Sequence, residues 1–379
     1  MNRIVFAILI WAAGLVVPAC AQEPDGHRLL TLFENQQYRE AAVYLHEFYP
    51  DTTTNTAVLS RLGYCYRMAG DLSRAEYYYL RLLKLDDKSV STLMSLGAIN
   101  AQRGVSLQAI DYYRQVISVD TTHARAYQAL SRLFSQRGMS DSAYYCLERA
   151  NFLEPANSDI AFSFARMCMD TERYHKADSV LDIALQSDPG NAILLLSHAQ
   201  VAEKLKNHQH VVQLCEQLLA LGEEGAQTRT LLATAYFHLE DYAASRETFL
   251  SVSDDLTEIN YYYLAMACKA LKRYDEALRY MDKVLELAIS PNTAFYYGRK
   301  ADLHDLVNQP SAAAASYLKS FQFETIPIHY YSLAVLYDRK LTNPRSALRY
   351  YRLYLKQQLS EDERVYRDYV QKRITELEK

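Results

Sequence analysis

Residues 124–155 read ARAYQALSRLFSQRGMSDSAYYCLERANFLEP, and the class of fold can be inferred from them. Its first half places Tyr127, Leu130 and Phe134 three or four residues apart, which is the spacing of one apolar face of a helix. Gly138 then indicates a turn, a second apolar run follows, and the closing proline stops that run. The stretch therefore predicts two helices joined by a short turn.

The same arrangement recurs along the chain with a period of 34 residues, interrupted once by steps of 32 and 36. A small residue in the second predicted helix marks each unit. These positions are Ala41, Ala75, Ala109, Ala143, Ala177, Val211, Ser245, Ala277, Ala313 and Ala347. Another small residue lies twelve positions earlier in eight units, at Gly63, Gly97, Ser131, Ala165, Ala199, Ala233, Ala265 and Ala301. Since small side chains let helix backbones approach closely, each unit is predicted to be a packed helical pair.

These units closely resemble the tetratricopeptide repeat, a helix-turn-helix unit of about 34 residues with aromatic, leucine and alanine residues at fixed places. Besides the stretch quoted first, the unit at 258–290 carries the resemblance with Tyr261, Leu264, Ala265, Tyr274, Ala277 and Pro291. The resemblance implies an all-α fold. It would be an α-α superhelix, a right-handed solenoid of about ten repeats whose first helices line a concave groove.

The period divides the chain into a signal peptide at 1–21, a repeat solenoid at 22–357 and a C-terminal capping helix at 358–379. The repeats are predicted near 22–55, 56–89, 90–123, 124–157, 158–191, 192–225, 226–257, 258–290, 291–326 and 327–357. The unit at 192–225 departs most from the family pattern, because Val211, Cys215 and Leu218 replace an alanine, an aromatic residue and an alanine. The last helix is rich in Glu, Arg and Lys, which suits a cap with a polar outer face.

The first residues have the layout of a secretory signal, since Arg3 precedes an apolar run that is short for a membrane-spanning helix. Two processing sites remain open. Cleavage after Ala21 frees Gln22, whereas a loose lipobox at 17–20 leaves a lipidated Cys20. Both predict export to the periplasm, or to the periplasmic face of the outer membrane of a Gram-negative bacterium, and lipidation is the expected route of membrane attachment.

Composition and motifs exclude several classes of function. The formal net charge is −4 with mixed acidic and basic residues, so nucleic-acid binding is not predicted. Catalytic and phosphate-binding motifs are missing, which predicts a non-enzyme without a cofactor. The cysteines after residue 22 lack the spacing of a metal site and fall in predicted helices, so we expect buried core residues. His208 and His210 are predicted to lie in a solvated turn.

Six positions of each unit line the groove in the family, and their transfer to this chain predicts two sets of residues. The cationic set comprises Arg61, Tyr64, Arg67, Arg125, Arg132 and Arg166. The aromatic set comprises Tyr262, Tyr263, Met266, Phe295, Arg299, Ile328 and Tyr331. Arginines would hold carboxylates, and aromatic rings would take apolar side chains or stack on sugars. The alternative for each residue is a solvated or packing role.

The resemblance implies a non-catalytic scaffold or adaptor that binds a protein or peptide partner, with an acidic partner suited to the arginines. The alternative is a component of an envelope machine that assembles or exports outer-membrane proteins or polysaccharide. The family's Lys/Asn/Lys/Arg clamp for chaperone tails is absent, since the matching positions carry Ser60, Arg61, Tyr64, Met94 and Ala98. Recognition of chaperone tails is therefore not expected, and the sequence leaves the oligomeric state open.

Overall fold

The computed structural model describes residues 24–252, 256–288, 291–358 and 365–379. The predicted signal peptide, including Cys20, lies outside these residues. Within them the chain forms 21 α-helices and no strand, so the predicted all-α class is confirmed. None of these helices is long and apolar enough to cross a membrane.

The chain divides into two compact units after Pro155, and the N-terminal unit contains four helical hairpins. Its helices are α1 (Gly26–Glu34), α2 (Tyr38–Phe48), α3 (Thr56–Met68), α4 (Leu72–Leu85), α5 (Val90–Gln102), α6 (Ser106–Val119), α7 (Ala124–Gln136) and α8 (Ser140–Leu153).

The C-terminal unit begins at Ala156 and contains six hairpins and a final helix. Its helices are α9 (Ser158–Asp170), α10 (Tyr174–Ser187), α11 (Ala192–Lys204), α12 (His208–Ala220), α13 (Ala226–His238), α14 (Tyr242–Leu250), α15 (Glu258–Ala270), α16 (Tyr274–Leu287), α17 (Thr293–Leu306), α18 (Pro310–Ser320), α19 (Pro327–Arg339), α20 (Pro344–Leu355) and α21 (Arg367–Leu377).

The turn inside each hairpin contains one residue in the left-handed region. Gly70, Gly104 and Gly138 occupy it with φ of 80°, 78° and 71°, where glycine avoids the steric cost of a Cβ atom. The other hairpins have a different residue type there, at Gln36, Glu172, Lys206, Glu240, Lys272, Asn308 and Thr342. These ten turns follow the same steps along the chain as the small residues of the sequence repeat.

Small residues lie where the two helices of a hairpin cross. Ala143 on α8 is fully buried, and its carbonyl oxygen accepts a hydrogen bond of 2.7 Å from Ser131 Oγ on α7. In the preceding hairpin, a Cβ atom added to Gly97 would lie 2.7 Å from the ring of Tyr113. Tyr113 therefore crosses α5 at a position where a larger residue has no room. The small positions of the repeat set the distance between paired helices.

We expect Ala143→Tyr to destabilise the protein by about 1–3 kcal/mol, because a ring at this crossing overpacks the α7–α8 interface. Asp141→Tyr is the matched control, since Asp141 is exposed on the same helix and its replacement should change stability by about 0.5 kcal/mol. Thermal melts of the three proteins provide the comparison. A melt of Ala143→Tyr that coincides with the wild type would contradict this packing.

The five cysteines of the described residues are free and buried, which confirms their prediction as core residues. They are Cys65, Cys146, Cys168, Cys215 and Cys268. Burial raises the pKa of the thiols of Cys65 and Cys146 to about 11. Cys215 is fully buried beside Val211 and Leu218 in the core of hairpin α11–α12, so this hairpin packs regularly although its sequence departs from the repeat pattern.

The C-terminal helix is shorter than the predicted range of 358–379. It begins at Arg367 and ends at Leu377, with residues 359–364 outside the described part of the chain. The reason is the extent of its apolar face, since Val370 and Ile374, one turn apart, are the residues that it buries against the last hairpin. The rest of its surface is mainly polar and exposed, as in a cap.

Candidate functional site

Acidic residues are unevenly distributed among the helices of the N-terminal unit. Helices α3, α5 and α7 contain no Asp or Glu, whereas α1 ends in Glu34 and the second helices α4, α6 and α8 contain both acidic and basic residues. The predicted residues Arg61 and Arg67 lie on α3, and Arg125 and Arg132 lie on α7. Within the described residues none of the four is ion-paired. We call the surface that carries these four arginines the arginine face.

The charges of Arg67 and Arg132 both affect the Tyr113 hydroxyl. Burial raises the pKa of the Tyr113 hydroxyl, and the charges of Arg67 and Arg132 both oppose that increase. The Tyr113 ring packs on α5 at Gly97, so both guanidinium groups lie close enough to this part of α5 to act on the Tyr113 hydroxyl. The structure thus brings together arginines from two hairpins that are 65 residues apart in sequence.

Arg67 has a hydrogen-bond donor without an acceptor. Its Nε atom is buried and has no partner within the part of the chain that the structure describes. Its guanidinium carbon lies 5.8 Å from the centroid of the Tyr64 ring, a cation–π contact that orients the group. A buried donor without an acceptor is costly.

A pocket of about 390 Å³ opens beside Arg61 in the first two hairpins. It is lined by Phe33, Tyr38, Ser60, Arg61, Tyr64 and Tyr79. The centroids of the Phe33, Tyr38 and Tyr64 rings lie 5.9–6.3 Å from one another. Tyr64 is inclined by 70° to Phe33 and by 84° to Tyr38, so the rings pack edge to face and present one continuous aromatic surface to the pocket. We call this the aromatic pocket.

The sequence predicts two residues of the aromatic pocket, Arg61 and Tyr64, and misses the other four. Phe33 has a usable signal, because it lies 34 residues before Arg67 and hence at the same position of the first repeat. Tyr38 begins a second helix, where the family pattern places no groove residue. The position of the Tyr38 ring in the pocket depends on the turn between α1 and α2, which a repeat pattern does not specify.

The predicted aromatic set of the C-terminal unit is largely engaged in internal packing. Tyr262 on α15 contacts Tyr263 and Phe295, with ring centroids 5.8 and 5.9 Å apart. Met266 packs against the same core cluster. The guanidinium carbon of Arg299 lies 4.7 Å from the Phe295 ring centroid, and its Nη1 lies 3.4 Å from an acid on the same helix. These residues form a continuous cluster on α15 and α17.

Three predicted residues lie apart from both groups. Tyr331 on α19 packs against the C-terminal cap, with its ring centroid 4.6 Å from that of Tyr366. Ile328 is half-buried at the start of the same helix. Arg166 is exposed on α9 in the C-terminal unit, and its guanidinium carbon lies 5.9 Å from the Phe162 ring centroid. The arginine face and the aromatic pocket are therefore properties of the N-terminal unit alone.

The prediction of a solvated turn at His208 and His210 is wrong. Helix α12 begins at His208, whose side chain is 17% exposed and stacks on His238 with a centroid distance of 4.5 Å. His210 contacts His198 at 4.7 Å. Burial, and then the charge of His208, lower the pKa of His238. Within the described residues no group of three or more His, Cys, Asp or Glu is arranged to hold a metal ion.

The family model of the tetratricopeptide repeat matches residues 259–290, which form hairpin α15–α16. This hairpin is a tetratricopeptide repeat. A TPR repeat-containing protein of Methanocaldococcus jannaschii is 30% identical over 104 residues, or 27% of this chain and 18% of that protein. YpiA of Bacillus subtilis, also a TPR repeat-containing protein, is 26% identical over 135 residues, or 35% and 31%. The chain thus spans less than a third of the length of either relative.

The chain is also similar to solved structures. The C-terminal part of a TPR repeat-containing protein from Cytophaga hutchinsonii has a TM-score of 0.47 and 15% identity, covering 71% of this chain and 98% of that one. PilF of Pseudomonas aeruginosa has a TM-score of 0.44 and 18% identity, covering 56% and 99%. None of these likenesses bears on function.

Proposed function

We propose that this tetratricopeptide repeat protein is a non-catalytic interaction scaffold whose N-terminal unit binds an acidic segment of a protein partner along the arginine face. The observation that carries the proposal is the set of four arginines on α3 and α7, which have no ion pair within the described residues, together with the lack of any acid on α3, α5 and α7. Arginine binds carboxylates through paired, charge-assisted hydrogen bonds. Stacked repeats present extended surfaces on which such a segment can lie.

An open surface favours binding over catalysis. Enzymes gain much of their rate from groups that are aligned in a site from which water is excluded. The arginine face instead consists of exposed or half-exposed side chains on helices. It can hold a partner through many weak contacts without such a site.

The proposal includes export to the periplasm or to the periplasmic face of the outer membrane. The support is the signal-like sequence at 1–21, and fractionation of cells that express the tagged chain tests it. Lipidation at Cys20 would favour the alternative role, that of a component in the assembly or export of outer-membrane proteins or polysaccharide.

We expect Arg67→Glu combined with Arg132→Glu to weaken binding of the partner by about 100-fold or more. Each charge-assisted hydrogen bond contributes about 1.5–3 kcal/mol, and charge reversal adds repulsion. The measurement begins with affinity capture from native cell envelopes by the tagged chain, read by mass spectrometry. The affinity of the captured protein for the purified wild type and for the variant is then determined.

Lys84→Glu combined with Arg114→Glu is the matched control for this experiment. It makes the same change in charge at two exposed positions, but on the second helices α4 and α6. The control should retain the partner at nearly the wild-type affinity. Equal loss of binding in both double variants would show that the effect comes from net charge alone. Unchanged binding in the Arg67 and Arg132 variant would refute the site.

A further inference from the structure

The aromatic pocket has the size and shape of a site for one side chain. Its volume of about 390 Å³ lies near the lower end of the range of about 300–1,000 Å³ for ligand pockets. Three rings at steep angles offer both faces and edges to a guest, which suits another aromatic ring or a compact cation. The rings alone do not distinguish between these two guests.

The charges around the pocket favour an aromatic ring over a cation as the guest. Arg61 lines the pocket, and the guanidinium group of Arg67 lies against the Tyr64 ring. Helix α3, which supplies Ser60, Arg61 and Tyr64, carries no acid, and the acids nearest in sequence to Phe33 and Tyr38, Glu34 and Glu40, are exposed. A cationic guest would meet two like charges in a partly desolvated site, whereas a guest with neighbouring carboxylates would be attracted.

We propose that the aromatic pocket binds an aromatic side chain from an acidic peptide segment, with Arg61 and Arg67 holding the carboxylates beside it. This inference rests on the proposed function, because it names the side chain of the partner that binds beside the arginine face. The ring of the guest packs on the surface that Phe33, Tyr38 and Tyr64 form together. The Nη atoms of Arg67, which unlike Nε are not buried, donate to a carboxylate that follows the aromatic residue in the bound segment.

The pocket gives the N-terminal unit selectivity that charge alone lacks. Arginines on an open surface attract any acidic chain, and salt screens that attraction. A ring that packs on the three aromatic side chains of the pocket instead fixes the position of the segment along the face. Burial of one aromatic side chain should raise the affinity by about tenfold to 100-fold over a peptide without it.

The test uses three synthetic peptides and isothermal titration calorimetry with the full chain. The first is acetyl-Gly-Glu-Glu-Phe-Glu-Glu-Gly-amide, the second has alanine in place of phenylalanine, and the third has trimethyllysine there. We expect the phenylalanine peptide to bind at least about tenfold more tightly than the alanine peptide. The trimethyllysine peptide should bind no better than the alanine peptide.

Two variants locate this preference in the pocket. Ser60→Trp fills the pocket from an exposed position of α3. Tyr64→Ser removes one of the three aromatic rings, at a residue that is 37% exposed. Both should lower the affinity for the phenylalanine peptide to that for the alanine peptide. Ser73→Trp is the matched control, because it adds the same ring at an exposed position of α4 and should keep the preference.

The inference is overturned if the phenylalanine and alanine peptides bind the wild type equally, or if neither binds. It is also overturned if Ser60→Trp and Tyr64→Ser both keep the full preference, or if trimethyllysine binds best. These outcomes leave the proposed function standing, because that proposal fails in a different experiment. Its failure would appear as undiminished capture of the native partner by the Arg67 and Arg132 variant.

Discussion

Arg373→Ala should destabilise the last hairpin by about 3 kcal/mol, because it leaves a buried carboxylate without its cation. The Asp338 side chain on α19 is 3% exposed and accepts hydrogen bonds of 2.7 and 2.8 Å from Nε and Nη2 of Arg373 on α21. These bonds hold the pKa of Asp338 below its usual value. Without Arg373, a hydrogen bond of 3.2 Å from the Tyr351 hydroxyl is what remains to the carboxylate.

Denaturant unfolding and hydrogen exchange of α19–α21 measure this effect. Arg352→Ala is the matched control, since Arg352 also links α20 to the C-terminal end of the chain through an ion pair with Glu378, but both side chains are largely exposed. Exposed pairs contribute about 0–1 kcal/mol, so this variant should remain close to the wild type. Equal effects of the two substitutions would show that the cap is not held by the Asp338–Arg373 pair.

Acidification from pH 6.5 to pH 4 should remove up to about 3 kcal/mol of stability through His329 alone. His329 on α19 is 7% exposed, and burial lowers the pKa of its imidazole from 6.5 to about 4, with Arg299 acting in the same direction and Asp302 opposing. Its Nδ1 lies 3.0 Å from Ser320 Oγ, and Nε2 faces Gly298 at a distance that leaves no room for a Cβ atom.

The direction of this pH dependence follows from proton binding in the two states. The unfolded chain takes up a proton at His329 as the pH falls through 6.5, whereas the folded chain does so only near 4. Unfolding is therefore favoured progressively between these values, and the loss is complete below the folded pKa. Urea unfolding at pH 7, 5.5 and 4.5 of the wild type and His329→Asn provides the test, because asparagine can keep the bond to Ser320 without titrating. Parallel pH profiles of the two proteins would contradict a role for His329.

The repeat architecture could be predicted because it depends on short-range rules that recur. Small residues such as Ala143 are needed wherever two helices cross, and a left-handed residue such as Gly138 is needed wherever a hairpin turns. A period of 34 residues makes these requirements visible without any structure. The class of fold and the placement of arginines on first helices follow from this period.

The details of the candidate site depend on side-chain geometry that the period does not encode. The aromatic pocket needs the rings of Phe33 and Tyr38 to meet Tyr64 across three helices, and their directions are set by one turn in the first hairpin. Likewise, a charged C-terminal segment indicates a cap, but not that Arg373 reaches Asp338. Such pairings depend on rotamers and on the exact approach of neighbouring helices.

The buried cysteines can serve as natural probes of local opening, because they are distributed over several hairpins. The five thiols described above lie on α3, α8, α9, α12 and α15, so each reports on a different hairpin. A buried thiol reacts with an alkylating reagent when its surroundings open, since reagent must reach the sulfur. Timed alkylation with mass-spectrometric readout of each cysteine would therefore measure the opening of five hairpins separately, in the unmodified sequence and in the presence or absence of a ligand.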